Sequence, residues 1–330
     1  MWFKELFGFE ESAHNIRKYM ECSGTRLISK ANGRTFRCGS LAIPTLAELR
    51  QQVNRLPDKG EKSVLSEVVA DAKALHADSA NAGALFQVAS QFNLLEMVSP
   101  QVTPEAGISG YATDMTQGPA CAMAAAAGTL FRNYFVKING AVGQTAENQI
   151  DCLSDIGEAL ENREHAFWQM RNGYAMLEYD KLERLKEMLG SIPDEKLDTL
   201  RGALRIGIQQ DTEVTLDGAS HCVSQAYCSA LPVGYHGFPV EMWQPFAQLI
   251  LDASYEATLC VAILNANKSG NNKVFLTLVG GGVFGNRQEW ILKAVERALS
   301  LYPKWGLDIR MVSYGTSNPR VQQLINKVST

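Results

Sequence analysis

The sequence has little that would mark a partner of nucleic acid or a membrane protein. Its 31 Lys and Arg are outnumbered by 35 Asp and Glu, which gives a net charge of −4, and no block of five like charges occurs. A nucleic-acid-binding protein usually carries a basic surface. The longest nearly apolar run, residues 120–131, is shorter than the roughly 18–20 residues that a membrane-spanning helix needs. We therefore expect no nucleic acid as a primary partner and no membrane.

Cysteine pairs at metal-ligand spacing are also absent. The seven cysteines form an odd set without a C-x-x-C motif, and His221 beside Cys222 has no companion at ligand spacing. This arrangement favours neither a disulfide scaffold nor a zinc site. Residues 1–11 contain acidic side chains where a secretory signal would need a long apolar stretch. The sequence therefore predicts reduced thiols, no metal centre and a cytoplasmic location.

The sequence does contain enough apolar side chains for a sizeable core, since 46% of its 330 residues are hydrophobic and 20% are charged. Residues 1–60 show short helical patterns and a hairpin pattern that turns at Asn32-Gly33, which predicts an N-terminal extension. The sequence of residues 61–330 predicts one further domain. Within it, residues 155–204 are rich in Glu, Lys, Arg, Met and Leu, a composition typical of a solvated helical insertion.

Strand and helix patterns alternate in the rest of the chain. Strands are predicted at residues 84–90, 207–215, 223–231, 274–279 and 308–314, and helices at 119–134, 243–265, 287–301 and 318–328. Alternation of this kind favours an α/β sheet whose strands are mainly parallel and whose two faces are covered by crossing helices.

A glycine-rich loop near the C-terminus is the sharpest local signal. The predicted strand at 274–279 runs into the glycines of 280–282, and Asn286 with Glu289 resembles a capping box at the start of the next helix. Glycines let backbone N–H groups approach phosphate oxygens, and a helix N-terminus adds unpaired donors. Ligands of such sheets bind at the carboxyl ends of the strands. The loop therefore predicts an anion-binding site, with a tight packing turn as the open alternative.

Two common phosphate-binding motifs fit this loop poorly. Residues 280–285 satisfy G-x-G-x-x-G, but the strand that follows ends at 312–316 without the Asp or Glu that holds the ribose of a dinucleotide. No Lys-[Ser/Thr] follows the loop, which argues against a P-loop nucleoside triphosphatase. The pattern therefore favours a different phosphate-binding protein over a dehydrogenase.

A second group of polar residues follows the predicted strand at 84–90. Gln91 and Asn93 come directly after it, and Thr116 and Gln117 precede an Ala-rich helix after a long loop. Amide side chains both donate and accept hydrogen bonds, so they can bind a heterocycle and ribose hydroxyls, and long ordered loops are usually functional. The segment predicts a nucleoside-binding region. The alternative, that its small residues serve packing alone, stays open.

Three segments of the sequence, 278–286 (LVGGGVFGN), 86–93 (FQVASQFN) and 116–120 (TQGPA), together resemble the macrodomain superfamily. They are most similar to its divergent branch, which includes poly(ADP-ribose) glycohydrolase-like proteins and MavL-like ADP-ribosylhydrolases. The resemblance spans residues 64–134 and 204–330. It implies a three-layer α/β fold with a mixed sheet between helices, and ADP-ribose as ligand or product without a cofactor.

The resemblance also implies ligand contacts for residues at matching positions. In macrodomains a late glycine loop wraps the diphosphate, and an early strand ends in residues that hold adenosine and the distal ribose. By position, the diphosphate would contact Gly280, Gly281, Gly282, Val283, Phe284, Gly285 and Asn286. The nucleoside and ribose would contact Gln91, Phe92 and Asn93, next to the helix start at Thr116, Gln117 and Gly118. Phe284 or Tyr314 could stack on adenine.

The chain departs from the usual macrodomain pattern in ways that bear on its substrate. The motif Asn-Ala-Ala-Asn does not follow Val88, residues 100–118 replace the triple-glycine loop, and no Gln-Glu-Glu triplet of the polymer-hydrolysing type occurs. The missing triplet favours binding or removal of a single ADP-ribose over hydrolysis of the polymer. The hypothesis is a hydrolase that removes mono-ADP-ribose from modified protein, and the alternative is a non-catalytic ADP-ribose reader or scaffold.

Hydrolysis of such a bond needs carboxyl groups near the sugar. Asp114 lies just before the Thr116-Gln117 segment. Asp211 and Glu213 alternate on a predicted strand and so share one face. Glu256 lies on the apolar stripe of a predicted helix, where it is either paired with an arginine or held for function. These four acids are the predicted catalytic residues. A different chemistry, with Cys228 as nucleophile and His221 or His236 as base, is the alternative.

Overall fold

The structure, a computed structural model, describes residues 2–216 and 218–329. Its strands are β1 Met20–Ser23, β2 Arg26–Ser29, β3 Thr35–Arg37, β4 Ser40–Ala42, β5 Val64–Val69, β6 Leu85–Ala89, β7 Lys137–Ile138, β8 Ala141–Val142, β9 Trp168–Arg171, β10 Tyr174–Leu177, β11 Gly207–Glu213, β12 Cys222–Cys228, β13 Lys273–Leu276 and β14 Asp308–Ser313. Its α-helices are α1 Trp2–Phe7, α2 Ala13–Tyr19, α3 Leu46–Val53, α4 Ala72–Ala77, α5 Gln117–Ala124, α6 Ala126–Tyr134, α7 Ser154–Ala159, α8 Tyr179–Ser191, α9 Asp194–Ala203, α10 Gln244–Ser269, α11 Gln288–Leu301 and α12 Pro319–Ser329.

Seven strands form the central sheet in the order β4-β11-β12-β6-β13-β14-β5. The five strands from β12 to β5 run parallel, whereas β4 and β11 are antiparallel at one edge. Neighbouring side chains of β6 point to opposite faces. Phe86 stacks on His76 of α4, with ring centroids 3.8 Å apart, and Gln87 donates a 2.9 Å hydrogen bond to Thr258 of α10. Helices therefore cover both faces, and the predicted three-layer α/β fold with a mixed sheet is confirmed.

The longest helix, α10, packs against the sheet and against α3, α8, α9 and α11. By length and composition alone it could cross a membrane, but 94% of its most apolar 18-residue window is buried inside the protein. Its apolar surface is therefore covered by the rest of the fold.

The N-terminal residues form a small unit of α1, α2 and the β1-β2-β3 sheet. The predicted hairpin at Asn32-Gly33 is confirmed, since β2 and β3 pair antiparallel around it. A separate apolar cluster that includes Phe7 and Phe36 packs this unit against α5 and α6. From β4 onward the chain belongs to the main body. There β4 joins the central sheet, and α3, which begins with a Thr45–Glu48 capping box, packs against α10.

The insertion at 155–204 contains a hairpin as well as helices. Strands β9 and β10 pair antiparallel between α7 and α8. Asn172 and Gly173 form the turn with φ angles of 47° and 79°, the positive values that the commonest two-residue hairpin turn requires. The charge-rich composition of this stretch favoured helices and hid the hairpin. The predicted helix at 119–134 is also corrected, because it is divided into α5 and α6 at Ala125, whose ψ of 55° is not helical.

The direction of the strands decides which loops meet. The parallel strands β12, β6 and β13 end at one edge of the sheet, where the loops that follow them gather. Strand β11 runs the other way, since Gly207 pairs with Tyr227 near the end of β12 and Glu213 pairs with Cys222 at its start. The end of β11 therefore lies at the edge opposite to these loops.

Candidate functional site

A cavity of about 250 Å³ lies at the carboxyl edge of the parallel strands. Its walls come from the loops after β6, β12 and β13, from the start of α5 and from the hairpin of the insertion. The predicted site residues that line it are Gln91, Asp114, Thr116, Gln117, Gly118, Gly280, Gly282, Val283 and Phe284. Two acids, Glu96 and Asp114, are among the lining residues, and none of the described residues that line it is Lys or Arg. The fold therefore joins the glycine loop to the segment after β6.

The glycine loop is closed on itself by backbone hydrogen bonds. The N–H of Gly285 donates to the carbonyl of Gly282 at 2.9 Å, and the N–H of Asn286 donates to the carbonyl of Gly280 at 2.9 Å. Gly280 has a φ of 74°, and a Cβ there would lie 2.4 Å from the Cβ of Ala230. Position 280 therefore requires glycine for both conformation and space.

Four backbone N–H groups of this loop are left without an acceptor among the described residues: those of Gly280, Gly282, Val283 and Phe284. All four residues line the cavity. A Cβ added at Gly282 would meet no atom within 4 Å. Successive free N–H groups beside an open space are the arrangement that binds anionic oxygens in proteins. The cavity therefore has an anion-binding wall built from backbone alone.

Asn286 supports this loop from behind and does not face the cavity. Its side chain is 4% exposed and donates a 2.8 Å hydrogen bond to the carbonyl of Leu231. The predicted capping box is wrong, because α11 has Arg287 at its N-cap without a side-chain cap. Gly281 and Gly285 also lie outside the lining of the cavity. Gly285 packs on Gly234. These three residues shape the loop, which corrects their assignment as ligand contacts.

An aromatic wall stands beside the glycine loop. Phe284 packs against Tyr174 and Tyr235, with ring centroids 5.4 and 5.6 Å apart. Tyr174 comes from β10 of the insertion, and its hydroxyl donates a 2.5 Å hydrogen bond to the carbonyl of Met97. Sequence reasoning missed Tyr174 and Tyr235. The Asn172-Gly173 turn was the signal for the hairpin, but nothing local indicates where the hairpin packs.

The loop after β6 turns tightly and buries two of the predicted nucleoside contacts. Phe92 is 1% exposed in the core, and Asn93 is fully buried. The side chain of Asn93 accepts from the N–H of Leu95 at 3.1 Å and donates to Gln149 at 2.9 Å. Leu94, which lies between Asn93 and Leu95 in the chain, has a φ of 64°. Phe92 and Asn93 therefore hold the turn and do not reach the cavity, which corrects both assignments.

Gln91 does line the cavity, but its polar atoms are used within the protein. Its side-chain oxygen accepts from the N–H of Met97 at 2.7 Å, and its nitrogen donates to the carbonyl of Met97 and to the hydroxyl of Tyr174. Gly173 packs directly on this turn, since a Cβ there would lie 2.6 Å from the Cβ of Gln91 and from the Cγ of Asn93. The N–H of Phe92 donates to the carbonyl of Gly173 at 2.9 Å. The insertion therefore fixes the shape of this wall.

The start of α5 supplies the remaining predicted residues. The side-chain oxygen of Gln117 accepts a 3.0 Å hydrogen bond from the N–H of Ala89, the last residue of β6. Gly118 lies so close to that strand that a Cβ would stand 2.2 Å from the carbonyl oxygen of Ala89. Asp114 accepts at Oδ1 from the N–H and the hydroxyl of Thr116, at 2.8 and 2.7 Å. Its Oδ2 accepts no hydrogen bond within the described part of the chain.

Glu96 is the functional candidate that sequence reasoning missed. It lines the cavity with 3% of its surface exposed, and neither carboxyl oxygen has a hydrogen-bond partner in the described residues. The nearest cation is Arg132, whose Nη2 lies 4.0 Å from Oε1. Burial raises the pKa of Glu96 to about 8, and Arg132 opposes this shift. An acid inside the apolar run Leu-Leu-Glu-Met at 94–97 was the available signal.

The other three predicted acids lie away from the cavity. Asp211 and Glu213 end β11 and so occupy the opposite edge of the sheet. There Asp211 pairs with Lys268 at 3.2 Å, and Glu213 accepts from the N–H of Arg37 at 2.8 Å. This corrects their catalytic assignment, because β11 runs antiparallel to β12 and ends at the edge away from the cavity.

Glu256 is likewise corrected to a structural role. Its carboxylate is 2% exposed and accepts hydrogen bonds from Arg50 at 2.5 Å and from Arg297 at 2.6 Å. Of the two alternatives for this acid, pairing with arginine is therefore the one observed. The ion-pair cluster joins α3, α10 and α11.

Tyr314 and Cys228 do not contribute to the cavity either. Tyr314 is 79% exposed beyond the end of β14. Burial raises the pKa of the Cys228 thiol to about 11, and its sulfur lies 3.4 Å from the hydroxyl of Thr258. His236 accepts at Nε2 from the N–H of Leu177. Because no histidine in the described residues is hydrogen-bonded to Cys228, the arrangement does not favour a thiol nucleophile.

No protein-family model and no curated protein sequence matches the chain. Among solved structures, it is similar to poly(ADP-ribose) glycohydrolase from Deinococcus radiodurans in complex with ADP-ribose, with 11% identity, a TM-score of 0.48, and coverage of 86% of this chain and 91% of that chain. It is also similar to poly(ADP-ribose) glycohydrolase from Thermomonospora curvata, with 11% identity, a TM-score of 0.47 and coverage of 96% of each chain. Identity and TM-scores at this level assign no residue of this chain a role.

Proposed function

We propose that this protein binds ADP-ribose and hydrolyses the bond that joins a single ADP-ribose to a modified protein. One observation carries the proposal: the same cavity presents unused backbone N–H groups on one wall and two carboxyl groups, Glu96 and Asp114, on another. The free N–H groups suit a diphosphate. The two carboxyl groups suit hydrolysis of the glycosidic bond, which lies on the distal ribose next to that diphosphate. The protein is expected in the cytoplasm, as the sequence predicts.

The diphosphate is assigned to the glycine loop. The free N–H groups of Gly282, Val283 and Phe284 are successive along the chain and border open space. Backbone amides held in a fixed loop bind phosphate oxygens with little reorganisation. Because none of the described residues that line the cavity is Lys or Arg, these amides supply the main attraction for the anion.

The two carboxyl groups support hydrolysis. Cleavage at an anomeric carbon passes through a transition state with positive charge on the sugar, and enzymes use one carboxyl group as acid and one as base. Asp114 keeps one oxygen free while Thr116 orients the other, so it is held ready to position a water molecule. The distal ribose would lie between Asp114 and Glu96.

The mouth of the cavity favours a modified protein over the ADP-ribose polymer. Val98 and Val283 line the cavity and are 63% and 62% exposed, and Met115, beside Asp114, is 88% exposed. A polymer carries two phosphates per unit and calls for cations around the mouth, whereas exposed apolar side chains suit a protein surface. We name Val98, Met115 and Val283 the apolar rim.

The test is ligand binding followed by turnover. Titration calorimetry with ADP-ribose, NAD, ADP and AMP should give the tightest binding for ADP-ribose. Mass spectrometry of a mono-ADP-ribosylated protein should then show loss of the modification with release of ADP-ribose. Preference for NAD, or failure of ADP-ribose to bind, would contradict the proposal. Binding without release would favour the reader alternative, which shares the glycine loop but needs no acid or base.

A further inference from the structure

Glu96 stands out from the other buried acids of the protein. In the described residues Asp252 and Glu256 are also buried, and both are paired with arginines, Asp252 with Arg201 at 3.2 Å and Glu256 with Arg50 at 2.5 Å. Glu96 has no such hydrogen bond at either oxygen. A buried polar group without a partner costs free energy, so such groups are rare unless a ligand satisfies them.

The surroundings of Glu96 are built to hold it there. Arg132 is itself fully buried, and its guanidinium is engaged elsewhere: Nε donates to the carbonyl of Leu94 at 3.0 Å, and the group stacks 3.6 Å from the ring centroid of Tyr227. The hydroxyl of Tyr111 accepts the N–H of Glu96 at 3.0 Å. Gly118 packs closely on Glu96, since a Cβ added at position 118 would lie 3.1 Å from the Cγ of Glu96. The backbone of Glu96 is thereby fixed at the wall of the cavity, and its buried carboxyl group is left without a hydrogen bond in the described residues.

We propose that Glu96, in its neutral form, is the catalytic acid of the reaction. This inference rests on the proposed function. Glu96 gives its proton to the side-chain atom that leaves the anomeric carbon, and that bond breaks with its electron pair on the leaving atom. Asp114 takes a proton from the water whose oxygen forms the new bond to the anomeric carbon. The net change is addition of one water molecule, and the proton on Asp114 returns to Glu96 through solvent.

The protonation state of Glu96 follows from the groups around it. The titratable or charged groups that face it are Arg132 on α6, Tyr111 and Asp114 on the loop before α5, Cys121 on α5 and Tyr227 on β12. Burial is the largest influence and raises the pKa of Glu96 to about 8. At neutral pH the group therefore carries the proton that an acid catalyst needs.

The test compares the unchanged protein with Glu96→Gln, which keeps the shape and the neutral charge but has no acidic proton. Glu158→Gln, on an exposed face of α7, is the control. We expect Glu96→Gln to lower kcat by about 100-fold or more, with the Kd for ADP-ribose within about threefold, and we expect the control to match the unchanged protein. The rate of the unchanged protein should fall as pH rises through about 8. A merely structural residue would not produce this pH dependence.

Each result decides one of the two proposals. If the unchanged protein releases ADP-ribose and Glu96→Gln does so at a similar rate, the acid role is overturned and the proposed function stands. If the unchanged protein releases none, the proposed function fails and the acid role fails with it. Should Glu96→Gln not fold, carbon-13 NMR of the Glu96 carboxyl group decides. A titration that coincides with the kinetic pH profile supports the role, and a carboxylate ionised throughout pH 6–9 overturns it.

Discussion

The carboxylate of Glu11, in the N-terminal unit, accepts a 2.6 Å hydrogen bond from the backbone N–H of Ser109. The same carboxylate accepts from the N–H of Ile108 and from the hydroxyl of Tyr134. Ser109 begins the short turn that leads to Tyr111 and Asp114. The N-terminal unit therefore holds the loop that carries one wall of the cavity.

Replacement of Glu11 should impair catalysis at a distance. Glu11→Ala leaves two partly buried N–H groups without an acceptor, so the loop and Asp114 should shift. We expect kcat on a mono-ADP-ribosylated protein to fall by about 10-fold to 100-fold, together with a lower Tm. Glu10→Ala, which removes an exposed ion pair with Lys4, is the control. Equal rates for the two variants would mean that the N-terminal unit does not position the site.

The glycine loop allows a substitution that separates binding from folding. Gly282→Ala places a methyl group in open space beside the free N–H groups, so the protein should fold normally while phosphate oxygens are excluded. Loss of one or two charged hydrogen bonds should weaken ADP-ribose binding by about 10-fold to 100-fold, as calorimetry would measure. Gly190→Ala, at an unobstructed position in α8, should leave binding unchanged and should not lower Tm, because alanine is favoured over glycine in a helix. An unaltered Kd for Gly282→Ala would place the diphosphate elsewhere.

The apolar rim should matter for the protein substrate and not for the free ligand. Met115→Glu puts a charge where an apolar protein surface is expected to pack, and it should raise KM for the modified protein by about tenfold. The Kd for ADP-ribose should stay the same. Val142→Glu, at an equally apolar position of β8 that is 62% exposed, should leave KM unchanged. A parallel loss of ADP-ribose affinity would show that Met115 acts on the ligand itself.

His76 should make the fold sensitive to acid. Burial lowers the pKa of His76 to about 4 from 6.5, and the hydrogen bond of its ring to the carbonyl of Ala72 opposes this shift. The ring is stacked on Phe86 and lies within hydrogen-bond distance of Gln225. The unfolded chain therefore binds a proton that the native protein does not, and the free energy of unfolding should decrease as pH falls from about 6.5 to about 4. The contribution approaches about 1.4 kcal/mol per pH unit. Urea unfolding across this range would measure it.

A variant without this titration provides the comparison. His76→Gln should lose stability at neutral pH but show a shallower decline between pH 6.5 and pH 4. If the slopes of the two proteins are the same, another group accounts for the acid sensitivity.

Local patterns in the sequence predicted most strands of the central sheet and the glycine loop. Buried strands and the glycines at 280–282 can be recognised from short stretches of sequence, so they can be predicted without knowledge of tertiary contacts. Strand direction is not recorded in this way. Asp211 and Glu213 were predicted as catalytic from their alternation on one strand, and the antiparallel pairing of β11 with β12 places them at the far edge of the sheet.

Contacts between residues far apart in the sequence were the other feature that could not be predicted. Glu256 is neutralised by Arg50, which lies 206 positions away in the chain, and no spacing rule links the two. Tyr174 reaches the cavity only because a hairpin in the insertion packs on the loop after β6. Glu96 is different, since an acid inside an apolar run is visible in the sequence and indicates either a buried pair or a functional group.

The close packing of Gly173 on Gln91 and Asn93 limits how far the protein can be shortened. Removal of residues 155–204 would take away Tyr174 and the carbonyl that receives the N–H of Phe92. The strand-end turn beneath the cavity would then lose its outer support. A minimal version of this protein, or a transplant of its cavity to another scaffold, would have to keep that hairpin.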